Sequence, residues 1–213
     1  MTITVSPCIL LDFDGVVLKN KKVDSYITKK SIEHVAVSRN ISLDRAKQLN
    51  TKLYPKLGHT SLINTDIHSL SRSIKEYNNY VFNELDYSKI DRMLTKNDKS
   101  YVHEIFEIPN EQSIPLGIFT NAPLSWCESI LMLCDIDINK EFSDKYLFTS
   151  DNSFVKPLQI SYDVVEKSMK NRHIFFIDDK KSNLEPIEDK NKWSGIHLDE
   201  KTSLHEIMNY LLC

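Results

Sequence analysis

The chain has 213 residues, enough to bury one substantial core or a core with an insertion. Charged residues make up 27% of it and the formal net charge is -3, which fits neither a disordered chain nor a surface built for nucleic acid polymers. The first residues form no basic leader and no segment approaches the roughly 18 consecutive apolar residues of a membrane span, so a soluble, cytoplasmic protein is expected.

Residues 8–11 are continuously apolar, as in a strand covered on both faces, and the run ends in Asp12-Phe13-Asp14-Gly15. From about 20 to 91 the patterns turn helical, with no strong strand candidate, and a small bundle of about four helices is the economical way to bury their apolar stripes. Asp24 and Ser42 suit helix N-caps there, and Gly58 suits a C-terminal stop. The polar run 95–100 reads as a linker back to the strand-bearing part.

Apolar runs then recur at 116–120 and 173–177, with a shorter one at 193–198. Helical patterns alternate with them at 123–134, 157–170, 182–189 and 203–212. This alternation predicts an α/β fold, a doubly wound and mainly parallel sheet, with an inserted helical domain. Residues 1–18 and 96–213 would form the core, and 19–95 the insertion.

The four cysteines, Cys8, Cys127, Cys134 and Cys213, form no CxxC pair and have no clustered histidine, so reduced thiols are expected in place of a zinc or redox site. Cys127 and Cys134, seven apart, fit one packed helix face. Trp126 and Trp193 lie in apolar patterns and read as core.

In a parallel sheet the carboxyl ends of the strands line the ligand crevice. Here three of those ends carry Asp12 and Asp14, Thr120 and Asn121, and Asp178 and Asp179. Carboxylates gathered at one edge repel unless a cation sits between them, and an oxygen-lined site of this kind suits Mg²⁺. The spacing does not fit a calcium loop, since Val17 and Val23 stand where an EF-hand has Gly and Glu. Thr120, Asn121 and Lys156 are candidates to hold a phosphoryl group, and Asn121 also suits a helix cap ahead of Pro123. A carboxylate could attack phosphorus to give an aspartyl phosphate, while a second, two residues on, moves protons. His59 and Thr60 could reach the crevice from the helical insertion; the other histidines are scattered without ligand spacing.

The four pieces "DFDGV", "FTNA", "VKP" and "FIDD", in this order, resemble the motifs of the haloacid dehalogenase superfamily, and the insertion after the first matches its subgroup with a cap there. The resemblance implies a Mg²⁺-dependent phosphatase for small phosphorylated metabolites, acting as a monomer or homodimer. Asp12 would be the nucleophile and a metal ligand, with Asp14 as acid/base offering its backbone carbonyl to the metal. Thr120 and Asn121 would bind the phosphoryl oxygens, and Lys156 would neutralise charge. Asp179 would bind Mg²⁺ directly and Asp178 through water, with Asn183 bracing the loop and lysines at 180 and 181 replacing the small residue often found there.

"TNAP", "DDKKSNL" and "YPKLGHTSL" are in addition similar to pyrimidine 5'-nucleotidase-like members, which implies Tyr54, His59 and Thr60 as substrate-selecting residues and a nucleoside monophosphate as substrate; Ser61 stands where Leu is usual. A sugar-phosphate phosphatase, a phosphomutase and a non-catalytic binding protein of the same fold are the alternatives. A dehalogenase is disfavoured, because relatives that attack carbon need no acid at the position of Asp14.

Overall fold

Residues Pro7–Leu11 form the first strand, β1, and every side chain from Cys8 to Leu11 is fully buried because both faces of the strand are covered. The computed structural model describes residues 6–64, 69–108, 110, 113–170 and 172–212. The further strands are β2 (Leu116–Phe119), β3 (Leu147–Phe148), β4 (His173–Asp178) and β5 (Trp193–His197). They pair in parallel in the order β3-β2-β1-β4-β5.

β1 therefore lies at the centre, with Leu11 level with Ile118 on one side and Ile177 on the other. The ladder runs on past the strand ends: the Asp12 N–H donates to the Ile177 carbonyl and the Thr120 N–H to the Phe148 carbonyl, both at 2.9 Å. Thus Asp12, Thr120 and Asp178 emerge side by side at one edge. The two-residue β3 was not expected, being too short to show a periodicity.

Between β1 and β2 come α1 (Lys21–Arg39), α2 (Leu43–Leu57), a 3₁₀ turn at Thr60–Asn64, α3 (Leu70–Val81), α4 (Tyr87–Met93) and α5 (Lys96–Phe106). Ser42 caps α2 as expected, accepting from the Arg45 N–H, and Gly58 ends it with a φ of 71°. Asp24 is not the cap of α1. Asn20 holds that place, accepting from the Lys22 and Val23 N–H groups, and Asp24 sits in the first turn, where its charge favours the helix dipole.

The expected linker at 95–100 is also corrected. It is the start of α5, nucleated by a capping box in which Thr95 and Asp98 satisfy each other's backbone N–H groups. The Asn20 amide donates to the Met93 carbonyl at 3.1 Å and to the Asp98 carboxylate at 2.8 Å, so the points where the chain enters the helical insertion and leaves it are tied together. Positions 65–68 of the predicted helical stretch, including His68, lie outside the described residues, as does Cys213.

The remaining helices are α6 (Leu124–Leu133), α7 (Ile138–Glu141), α8 (Gln159–Ser168), α9 (Lys181–Leu184) and α10 (Leu204–Leu212). Ile9 and Leu11 face a large cluster with Trp126, Cys127 and Cys134, while Cys8 and Leu10 face a second with Tyr162, Phe176 and Trp193. Cys8, Cys127 and Cys134 are buried thiols with no disulfide. Val23, Tyr77, Val81 and Phe82 from the insertion join the first cluster, whereas Val35, Ala36, Ala46 and Ile63 form a small core of their own. Among the described residues no helix is long and apolar enough to cross a membrane.

Candidate active site

Asp12 leaves β1 into the interior, with 4% of its surface exposed. Its Oδ1 accepts from the Phe13 N–H at 2.7 Å and pairs with the Lys156 ammonium at 2.9 Å. Lys156, equally buried, pairs on its other side with Asp178 Oδ2 at 2.5 Å. Burial acts to lower the Lys156 pKa, but the carboxylates of Asp12 and Asp178 outweigh it and hold the pKa above the ordinary ammonium value. The lysine is a fixed cation between two strand ends.

Asp178 is saturated from within the fold. Besides Lys156 it accepts the Lys180 N–H at 2.8 Å and, on both oxygens, the Asn183 amide at 3.0 Å. Asp179 is its opposite: its backbone carbonyl meets the His197 imidazole at 3.1 Å, but its buried Oδ1 has no hydrogen-bond partner among the described residues. A buried, unpaired carboxylate oxygen is costly unless a cation meets it. Asp12, Asp178 and Asp179 each place a carboxylate oxygen within 4.8 Å of the others, the spread of a single metal ion's ligands. Gly15, with φ +94°, makes room for this group, since a Cβ there would stand 2.5 Å from the Asp179 carboxyl carbon.

The Asp14 side chain turns away from this cluster and accepts from the Trp126 indole N–H at 3.0 Å. Burial pushes its pKa up to about 7, against the Trp126 bond and with the help of the Asp12 charge. The two aspartates of the first motif thus occupy different environments, one paired with a lysine and one protonatable.

Thr120 is buried, and its hydroxyl oxygen accepts from the Ala122 N–H at 3.2 Å, leaving its own proton free to donate. Asn121 does not cap the helix that follows, and its amide is engaged within the fold. Its Nδ2 donates to the carbonyls of Gly58 at 2.8 Å and Lys156 at 2.9 Å, and its Oδ1 accepts from the Lys156 N–H at 2.7 Å. The helix that follows begins at a Pro123 cap without any side-chain bond, and the Leu124 N–H finds Asp151 at 2.7 Å instead. The Asn121 amide is therefore a clamp that seats the loop after α2 on the backbone of Lys156. Asn121→Ala is expected to cost about 1–3 kcal/mol, because buried backbone partners lose their bonds; urea unfolding of the variant measures it.

Asp12, Asp14, Thr120, Asn121, Lys156 and Asp179 line one cavity of about 890 Å³, and Tyr54, His59 and Thr60 line it from the inserted helices. Asp178 lies beneath it, fully buried. His59 is neutral, since burial lowers its pKa to about 4 against a favourable influence of the Asn121 backbone. Its Nδ1 takes the Ser61 hydroxyl at 2.7 Å, and its buried Nε2 has no hydrogen-bond partner among the described residues. Thr60 donates to Asn50 Oδ1 at 3.0 Å.

Two residues at the site escaped the sequence reading. Trp126 looked like core, which it is, yet a buried indole N–H needs an acceptor and its place after the second motif puts Asp14 within reach. Lys180 was noticed only as a departure from the superfamily pattern; its ammonium reaches Tyr54.

No protein-family model and no curated protein matches the chain. Solved structures do. A predicted HAD-like family hydrolase from Porphyromonas gingivalis is similar at 14% identity and a TM-score of 0.57, with 98% of each chain covered. A hydrolase from Pseudomonas syringae is similar at 14% identity and a TM-score of 0.53, over 95% of this chain and 90% of that one. A HAD phosphatase from Thermococcus onnurineus is similar at 13% identity and a TM-score of 0.50, over 91% and 86%. At these identities the likeness is one of fold: an α/β, HAD-like core with helical insertions.

Proposed function

We propose that this chain, which has the fold of HAD-like hydrolases, is a Mg²⁺-dependent phosphatase that hydrolyses small phosphomonoesters through an aspartyl phosphate on Asp12. The observation that carries the reading is the convergence of Asp12, Asp14, Thr120, Lys156 and Asp179 on one cavity at the carboxyl edge of the sheet.

Asp12 attacks phosphorus through a carboxylate oxygen while the ester P–O bond breaks, and Asp14 gives its proton to the departing alcohol oxygen. Water then attacks the phosphorus of the aspartyl phosphate, Asp14 takes the water's proton, and the Asp12 carboxylate is released with inorganic phosphate. Lys156 balances charge at Asp12, and the Thr120 hydroxyl and the Asn121 backbone N–H donate to phosphoryl oxygens, since the Asn121 amide is engaged elsewhere.

The donor set fits Mg²⁺: Asp12, the unpaired Asp179 oxygen and the Asp14 backbone carbonyl would hold it, and Asp178, saturated by other donors, would act through water. When bound, the ion neutralises the clustered carboxylates and polarises the phosphoryl group. Gly15→Ala is expected to weaken Mg²⁺ affinity about 10- to 100-fold, the usual cost of disturbing what orients a ligand, because the new methyl displaces the Asp179 carboxylate. Calorimetric titration with Mg²⁺ reads this directly.

Residues 19–95 act in this reading as a cap over the cavity, and Tyr54, His59 and Thr60 select the substrate from it. Nucleoside monophosphates are the proposed class, supported by the Tyr54-Gly58-Thr60 loop and by the aromatic faces of Tyr54, Tyr77 and Phe82 along the cavity. A cytoplasmic protein suits such metabolites. The test is kcat/KM for nucleoside monophosphates, sugar phosphates and phosphoglycolate, with Mg²⁺ and with EDTA. Mg²⁺-dependent hydrolysis with nucleotides ahead supports the reading; no hydrolysis of any phosphomonoester defeats it.

A further inference from the structure

The site holds a second ammonium group that the four motifs do not include. Lys180 follows Asp179 in the loop after β4, and its side chain crosses to the inserted helices. There it donates to the Tyr54 hydroxyl at 3.1 Å and lies 5.3 Å from the centre of that ring. Tyr54 belongs to the last turn of α2, one turn ahead of the Gly58 that Asn121 clamps onto Lys156.

Of the four lysines that line the cavity, Lys19, Lys21, Lys156 and Lys180, the last two are held differently. Lys156 is locked between Asp12 and Asp178. Among the described residues Lys180 has no carboxylate oxygen within 4.0 Å, and its hydrogen bond goes to the Tyr54 hydroxyl, so its other N–H donors are uncommitted. Burial works against its charge while Tyr54 and the carboxylates of Asp12 and Asp179 favour it, and its remaining donors can form a charge-assisted bond to an arriving anion. Lys180 lines the same cavity as Asp12, Thr120 and Lys156, above the buried Asp178. Lys156 is engaged by Asp12 and Asp178, so a phosphoryl group entering beside Asp12, Asp14 and Asp179 has room for a further side-chain cation.

We propose that Lys180 is a phosphate-binding residue whose ammonium contacts a non-bridging oxygen of the transferring phosphoryl group, positioned by the Tyr54 hydroxyl, so that phosphate occupancy favours seating of the inserted helices on the core. This rests on the phosphatase reading above. It adds a cation from the cap-facing side of the cavity, and it makes Tyr54 a positioning residue for that cation.

The test compares wild type, K180Q, K180R and Y54F in Mg²⁺. Inorganic phosphate binding is measured by calorimetry, and kcat/KM with p-nitrophenyl phosphate and with phosphoglycolate; thermal unfolding of each variant verifies the fold. K180Q is expected to weaken phosphate binding and to lower kcat/KM at least about tenfold on both substrates, as loss of one charge-assisted bond requires. K180R is expected to recover part of the loss, and Y54F to show a smaller loss in the same direction. Phosphate binding and turnover by K180Q equal to wild type would overturn the proposal. So would a loss confined to phosphoglycolate, which would make Lys180 the reader of a second anionic group. Failure of the phosphatase reading is seen separately, in a wild-type protein that neither binds phosphate nor hydrolyses either ester, and it takes this proposal with it.

Discussion

Asp12→Asn is expected to lower kcat by roughly 10⁴-fold or more while leaving the fold intact, the scale on which removal of a covalent nucleophile acts. The asparagine oxygen can still accept from the Phe13 N–H and from Lys156, so the local bonds at 2.7 and 2.9 Å have a substitute. What disappears is the anionic oxygen that would bond to phosphorus. Steady-state kinetics beside a thermal unfolding curve separates the two effects: a wild-type melting profile with turnover gone is the expected pair. Retained turnover in a folded variant would remove Asp12 from the chemistry.

Lys156→Met is expected to be the most disruptive change to the fold at this edge. The ammonium stands between two carboxylates, with side-chain exposures of 6% at Asp12 and 0% at Asp178. Removing one partner of a buried ion pair costs about 3–5 kcal/mol, because the remaining charges stay buried and unpaired. Here they also repel each other. Denaturant unfolding in the absence of divalent metal measures the loss, and added Mg²⁺ is expected to restore part of it by taking over the neutralisation. A variant as stable as wild type without metal would show that the pair is not what holds Asp12 and Asp178 together.

The sheet was legible in the sequence because a central parallel strand is covered on both faces, so "CILL", "LGIF" and "HIFFI" stand out as unbroken apolar runs. The carboxylates that end them were legible for the same reason: topology places whatever follows such a run at the ligand edge. β3, with two residues, carries no such signal. α5 was hidden because its first turn is wholly polar, and its start is set by a reciprocal Thr95–Asp98 cap more than by an apolar stripe. The same polarity made 95–100 read as a linker.

At the site, residue identity was easier to read than residue partnership. Asn121 is where the motif places it, but whether an amide faces a ligand or a neighbouring backbone depends on how closely the loop at Gly58 approaches. That approach is extreme: a Cβ on Gly58 would stand 2.0 Å from the Lys156 carbonyl oxygen. Gly58 reads in sequence only as a helix stop, and its second role, letting the insertion touch the core, is a tertiary fact. Trp126 and Lys180 are of the same kind. Their partners, Asp14 and Tyr54, are 112 and 126 positions away in the chain.

The covalent step on Asp12 is the centre of the account. Acid-quenching the protein during turnover of a phosphomonoester with Mg²⁺, then mapping covalent phosphate by peptide mass spectrometry, tests it most directly. One phosphoryl group on the peptide bearing Asp12, lost in Asp12→Asn, is the predicted result; turnover with covalent phosphate on another residue, or with none on Asp12 when release of phosphate is blocked by Asp14→Asn, would contradict it.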